Sequence, residues 1–214
     1  DQSDEMEAVA EFNHELGHLV VAGAFSSPGK TQRETAADVF AALRHIQRYG
    51  DDSRAIEKAG WHRAFDFVMS GDADHFTTFG LDAISGKKEG PGIAAMTPQQ
   101  TAELAEAIAL GHTPSAETIT RLTAAFAPAR EIMQRTRDVE ACLKEIARIS
   151  LGSADHDTFK IGSRALKPFL SGDVSTIRLA GDYWDDIRAQ IKSRHTLNGS
   201  TSKNGMTRNP GRPD

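Results

Sequence analysis

Apolar residues recur at spacings of three and four along almost the whole chain, and nearly no stretch alternates with a period of two, so the pattern predicts a mainly α protein. The spacing predicts helices at about 4–25, 32–49, 53–70, 98–110, 115–127, 129–150, 157–171 and 174–194. Local start signals agree with these bounds: Thr31 stands three residues before Glu34, Thr97-Pro98 precedes Gln100, and Thr113-Pro114 opens the next stretch. Gly50, Gly71 and Gly111 stand where helices are expected to close.

The segment 72–96 departs from this rhythm. It reads DADHFTTFGLDAI and then SGKKEGPG, where Gly86, Gly90, Pro91 and Gly92 prevent a continuous helix. An irregular stretch of that length inside a domain commonly carries function. No internal repeat, glycine-rich phosphate loop or dinucleotide fingerprint is present in the sequence.

Composition narrows the class. A chain of 214 residues can bury a real core, and no apolar run approaches the roughly 18 residues of a membrane span, so no integral membrane segment is expected. A formal charge of -5 argues against a broad nucleic-acid surface, which needs clustered Lys and Arg on one face. Only the stretch from Lys192 to Arg212 is basic, with Arg194, Lys203 and Arg208 among Gly, Asn, Ser, Thr and Pro, and residues 197–214 are expected to be a disordered tail. The single cysteine, Cys142, excludes an internal disulfide and, between Ala141 and Leu143, reads as a core thiol. The sequence begins at Asp1 with neither Met nor an apolar leader, a start expected of a piece of a longer polypeptide; a cytoplasmic location is the expectation.

The strongest chemical signal is His14-Glu15-Leu16-Gly17-His18, an H-E-x-x-H motif inside a helical pattern, which chance yields about 0.02 times in a chain of this composition. Four helical residues advance about 400°, so the two imidazoles lie about 40° apart and Glu15 about 100° from His14. Val9, Phe12, Leu16, Leu19 and Val20 cluster on nearly the opposite arc, which predicts that the helix buries that stripe and presents both imidazoles to a cleft. Such spacing suits Zn2+ held by His14 and His18, with Glu15 as general base.

Two imidazoles do not hold a catalytic zinc alone; three protein ligands and an open position are usual. The next helix supplies Glu34-Thr35-Ala36-Ala37-Asp38, whose carboxylates stack one turn apart, away from Ala36, Val39, Phe40, Leu43 and Ile46. Glu34 is the expected third ligand. Asp38 is expected to accept a hydrogen bond from the far ring nitrogen of a ligating histidine and so fix its tautomer. The short Pro28-Gly29 connection predicts a close helical hairpin, with Ala37, Ala41 and Ala42 leaving room for the approach. Thr31-x-x-Glu34 also fits a capping box, an alternative role for Glu34.

HELGH followed by ETAAD resembles the gluzincin zinc metallopeptidases, whose pattern is H-E-x-x-H and then a helix bearing E-x-x-x-D. Together with DHFTTFGLDAI, these motifs resemble bacterial metallopeptidase domains without an established substrate. The likeness covers residues 10–85, and Val21 stands where a metzincin would have its glycine. It implies a zinc-dependent hydrolase of peptide or protein substrates, in which His14, His18 and Glu34 bind Zn2+, Glu15 activates water and Asp38 supports a His ligand. Such a hydrolase needs an oxyanion donor, and His75, beside Asp74 in the irregular segment with Thr77 and Thr78, is the candidate.

His45 falls on the Glu34/Asp38 arc and is a candidate supporting group or alternate ligand; His62, His112, His156 and His195 show no partner spacing. Trp61, Phe65, Phe67 and Val68 read as core, and Tyr183-Trp184 as the anchor of the last helix. The expected organisation is a zinc-binding region at 1–96, a helical region at 97–196 completing the same domain and covering the hairpin, and the tail. Two competing readings use the same residues: a non-catalytic interaction module with a structural or degenerate metal site, and a metal-dependent hydrolase of a non-peptide amide or ester. A structural site has no use for Glu15 and needs a fourth protein ligand.

Overall fold

Eleven of the twenty residues in the second helix are buried, from Glu34 to Leu43 without interruption and again at His45. A helix buried on all sides must sit inside the fold rather than on its surface. That fact organises the computed structural model, which describes residues 2–21, 29–50, 53–85, 92–172, 179 and 181–204. The elements are α1 (Gln2–Val21), α2 (Lys30–Tyr49), α3 (Ser53–Ser70), α4 (Thr78–Ser85), a 3-10 turn at Ile93–Ala95, α5 (Pro98–His112), α6 (Ala116–Thr136), α7 (Val139–Gly152), α8 (His156–Ser171) and α9 (Asp182–Asn204). Among the described residues there is no strand, and the protein is mainly α, as the periodicity predicts.

Helices α1, α4 and α5 pack on α2. Val39, Phe40, Ala42 and Leu43 of α2 join Ile56, Leu81, Ile84, Ala102, Ala105 and Ile108 in one apolar cluster, against which Leu16 and Val20 of α1 rest. Helices α1 and α2 run antiparallel, because Glu5 meets Arg48 at 3.4 Å while His18 meets Glu34 at 3.4 Å. The hairpin connection itself, residues 22–28 with Pro28, lies outside the described residues.

Helix α1 uses only part of the packing face that its apolar stripe predicts: Leu16 and Val20 rest on the core, and Phe12 and Leu19 do not. The line in contact with α2 is Asn13, Gly17 and Val21, all buried, whereas Phe12 is 66% and Leu19 79% exposed. The reason lies at Gly17: a Cβ there would stand 3.0 Å from Ala37 Cα and 3.1 Å from its carbonyl oxygen, so the two backbones touch where neither residue has bulk. Leu16 and Val20 flank that line on the core side, and His14 and His18 flank it on the other. Gly80 makes a similar close crossing of α4 over α2, since a Cβ there would lie 2.5 Å from Thr35 Cγ2.

Three other expectations change. The eight residues of α4 fall in the stretch read as irregular, where Phe76 and Thr77 precede a helix of about two turns, shorter than the window in which periodicity is legible. Residues 86–91, including Gly86, Gly90 and Pro91, lie outside the described residues. The expected break between 127 and 129 does not occur: Pro128 lies within α6, which runs on to Thr136. The break falls instead at Arg137, whose φ of 55° is left-handed, and Asp138, which accepts the Ala141 N–H at 3.0 Å as the cap of α7. Gly111 is inside α5, which Thr113 closes.

The chain divides into two units, Asp1–Lys167 and Pro168–Asp214, so the expected 97–196 region falls partly in each. In the first, Asp82 of α4 receives Arg164 and, at 3.0 Å, Lys160 from α8, while Lys167 pairs with Glu57 of α3. In the second, Trp184 is buried, Tyr183 is 45% exposed, and Arg188 donates to the Leu170 and Leu179 carbonyls at 2.8 and 2.6 Å. Helix α9 reaches Asn204, eight residues into the stretch expected to be disordered, and residues 205–214 lie outside the described residues, as do 174–178 of the expected 174–194 helix.

Candidate metal centre

Because α1 and α2 approach at Gly17, His14 and His18 are carried directly over the first turns of α2. The Nε2 atoms of His14 and His18 stand 3.1 Å apart, and they lie 3.5 and 3.4 Å from Oε2 of Glu34. Among the described residues these three side chains alone form a group with the convergence of a metal site. Glu34 is only 8% exposed, and its Oε2 has no hydrogen-bond partner.

An orphaned buried carboxylate oxygen is costly, and a group that offers nothing but lone pairs calls for a cation. The geometry tests this further. Ligand atoms about 2.0–2.1 Å from an ion in a tetrahedral arrangement stand about 3.3–3.4 Å from one another, and the three observed edges are 3.1, 3.4 and 3.5 Å. The donors therefore fit a small divalent ion. Two imidazoles at this distance could instead share one proton, but Glu34 beside both favours positive charge in either case. The donor set of two imidazoles and one carboxylate suits zinc and also ferrous iron.

Helix α2 begins at Lys30, with Gly29 as its cap and no side-chain capping bond. Thr31 is already inside the helix and gives its hydroxyl to the Ala73 carbonyl at 3.0 Å, so Glu34 is not a capping-box residue.

Behind His14 stands Asp38, with Oδ1 2.7 Å from Nδ1, the ring nitrogen remote from Glu34. Asp38 is buried, yet both of its oxygens are engaged. Arg63 of α3 forks onto it, Nε to Oδ2 and Nη2 to Oδ1, both at 2.8 Å, and the Thr77 hydroxyl donates to Oδ2 at 2.5 Å. Burial alone would raise the carboxyl's pKa; the bonds from His14, Arg63 and Thr77 and the Arg63 charge outweigh it and hold the pKa at about 2. His14 is pushed above its ordinary value, first by the hydrogen bond to Asp38 and against desolvation.

These opposed shifts give a pH prediction. A carboxyl lowered from 3.8 to about 2 stabilises the fold above pH 3.8 and loses that contribution as pH falls through 2. Relative to Asp38→Asn, the wild-type protein without metal should gain about 2 kcal/mol between pH 2 and pH 5. Urea unfolding at the two pH values checks this; parallel pH dependences for both proteins would contradict it.

The segment 71–77 presents the remaining candidate. Phe76 is fully buried and stacks on Phe67 with centroids 3.9 Å apart, which anchors the segment. On one side Thr77 reaches Asp38; on the other, His75 places Nε2 3.8 Å from Glu34 Oε2, outside the three-donor group. The partner of His75 Nδ1 is Asp72, at 3.1 Å, and not the adjacent Asp74, which pairs with Lys30 at 2.5 Å. That bond to His75 lowers the Asp72 pKa.

Glu15 is exposed and stands outside the donor group, on the wall of a cavity of about 550 Å³ that it shares with His14 and Asp38. Ala41, Ala42, Ile56 and Leu81 form apolar lining, with Glu11, His62 and Asp66 also present. His45 lines the same cavity, its ring 4.9 Å from Tyr49, and is not among the convergent donors.

Sequence reasoning missed Arg63. Its signal was present: on α3, Arg63 lies within about 60° of both Gly60 and Phe67, which are buried, and a cation on an apolar arc implies an acidic partner within the fold. No protein-family model, curated protein or solved structure matches this chain. Among the described residues, no helix is long and apolar enough to cross a membrane.

Proposed function

We propose that this chain is a zinc-dependent hydrolase of peptide bonds, in which His14, His18 and Glu34 hold the ion and Glu15 is the general base. The observation that carries the reading is the triangle of Nε2, Nε2 and Oε2 atoms with the unpartnered Glu34 oxygen at its apex. Three protein donors suit a hydrolytic centre, which keeps a position open, and the H-E-x-x-H spacing favours zinc over iron for the same donor set.

When bound, such an ion supplies Lewis acidity, polarising a carbonyl and making water nucleophilic near neutral pH. The protein does the rest. Glu15 accepts the proton of the attacking water and passes it to the leaving nitrogen as the C–N bond breaks. His75, oriented by Asp72, donates from Nε2 toward the carbonyl oxygen as negative charge builds there. Asp38 holds His14 so that Nε2 faces the site. The cavity beside His14, with its apolar lining, receives the substrate chain.

The test combines metal analysis with turnover. The purified chain should carry about one zinc ion, cleave peptides in an unstructured mixture read by mass spectrometry, lose that cleavage on chelation and regain it with zinc. Iron as the bound metal, or cleavage undiminished after the metal is stripped, would overturn the proposal.

A further inference from the structure

We propose that Arg63 is a positioning residue for the metal centre: by clamping the plane of Asp38 it fixes the His14 ring and thereby sets metal affinity. The inference rests on the metal site proposed above, and it concerns a residue that touches none of the three donors.

The argument starts with what an isolated aspartate does. Its carboxylate rotates about the Cβ–Cγ bond, and this torsion has a broad preference. A carboxylate that accepts one histidine bond can swing and carry the imidazole with it. Asp38 cannot swing, because a planar guanidinium meets both of its oxygens, Nε on Oδ2 and Nη2 on Oδ1, each at 2.8 Å. Two parallel bonds define a plane where one bond defines only a line. Thr77 closes the remaining freedom at Oδ2, leaving Oδ1 toward His14 Nδ1 at 2.7 Å.

The contact at Nδ1 selects the tautomer whose lone pair is on Nε2, the atom 3.5 Å from Glu34 Oε2. Because α3 carries the guanidinium, a third helix takes part in orienting a site whose donors all come from α1 and α2. A lysine at this position would keep the charge and lose the plane, so charge and geometry can be separated.

The experiment measures metal affinity of the full chain by competition with a chromophoric chelator, using zinc alone, and the visible spectrum of the cobalt-substituted protein. Metal-free wild type, Arg63→Ala, Arg63→Lys and Asp38→Ala are first compared by circular dichroism. Both Arg63 variants should bind zinc about 10–100-fold more weakly, the usual effect of losing an outer partner of a ligand, with a shifted cobalt spectrum. Added guanidinium should restore Arg63→Ala, and Arg63→Ala should cost nothing further in an Asp38→Ala background. Should Arg63→Ala not fold, Arg63→Lys decides alone.

Affinity within twofold of wild type in the folded variants would overturn the proposal, as would effects of Arg63 and Asp38 that simply add. Failure of this inference is separable from failure of the hydrolase reading, because zinc binding is measured without turnover. A wild type that binds zinc but cleaves nothing removes the hydrolase and leaves Arg63 in its role; a wild type that binds no zinc removes both.

Discussion

Glu15→Gln should leave the zinc content of the chain unchanged and lower peptide hydrolysis by about 10²–10⁴, the usual worth of a positioned general base. The reasons for both halves are structural. Glu15 lies about 100° around α1 from His14, exposed and outside the three-donor group, so an isosteric amide there removes no ligand. A surface substitution of this kind changes stability by about 0.5 kcal/mol or less. What the amide cannot do is accept a proton from water and return it to an amine. Metal content by mass spectrometry and steady-state cleavage of a quenched peptide check the two halves separately. Unchanged turnover would remove Glu15 from the mechanism, and lost metal would mean that it serves as a ligand.

Glu34→Gln acts on binding and stability in opposite directions. Zinc affinity should fall by more than the roughly 10–100-fold that loss of an outer partner costs, because a donor itself is gone. The metal-free protein should unfold at an equal or higher temperature than wild type, because a buried carboxylate oxygen without a partner is replaced by a neutral group of the same shape. Thermal unfolding with and without zinc reads both effects. A residue held only for helix stability would show the reverse: zinc affinity unchanged and the metal-free protein less stable by about 1 kcal/mol.

Much of the donor set could be read before folding because it is local. His14 and His18 are one helical turn apart, as are Glu34 and Asp38, and the 3.6-residue period alone puts each pair on one face. Helix type was legible for the same reason, since α2, α7 and α8 show strong three-and-four spacing. What could not be read depends on encounters between helices. The side of α1 that packs was hidden, because Gly17 contributes nothing to an apolar pattern yet permits the closest approach. The length of α6 was obscured because Pro128 normally ends a helix, yet here it lies inside one. Arg63 comes from a separate helix, and no spacing rule links residues 25 positions apart. The bond from His75 to Asp72 depends on the turn at 73–75, which brings a carboxylate three residues back round to the ring, and no helical spacing marks it.

The backbone contact at Gly17 bears on how the five-letter motif is to be understood in this protein. Leu16 rests on the core cluster and Gly17 lies against Ala37, so both positions that the general pattern leaves unspecified are fixed here by neighbours. On the proposed reading, reactivity dictates the identities of three letters, and steric fit those of the other two. A Cβ added at the fourth letter would stand 3.0 Å from Ala37 Cα, so α1 and α2 would have to part by a few tenths of an ångström beneath the two imidazoles, and a replacement at a position without chemistry would reach the spacing of the donors.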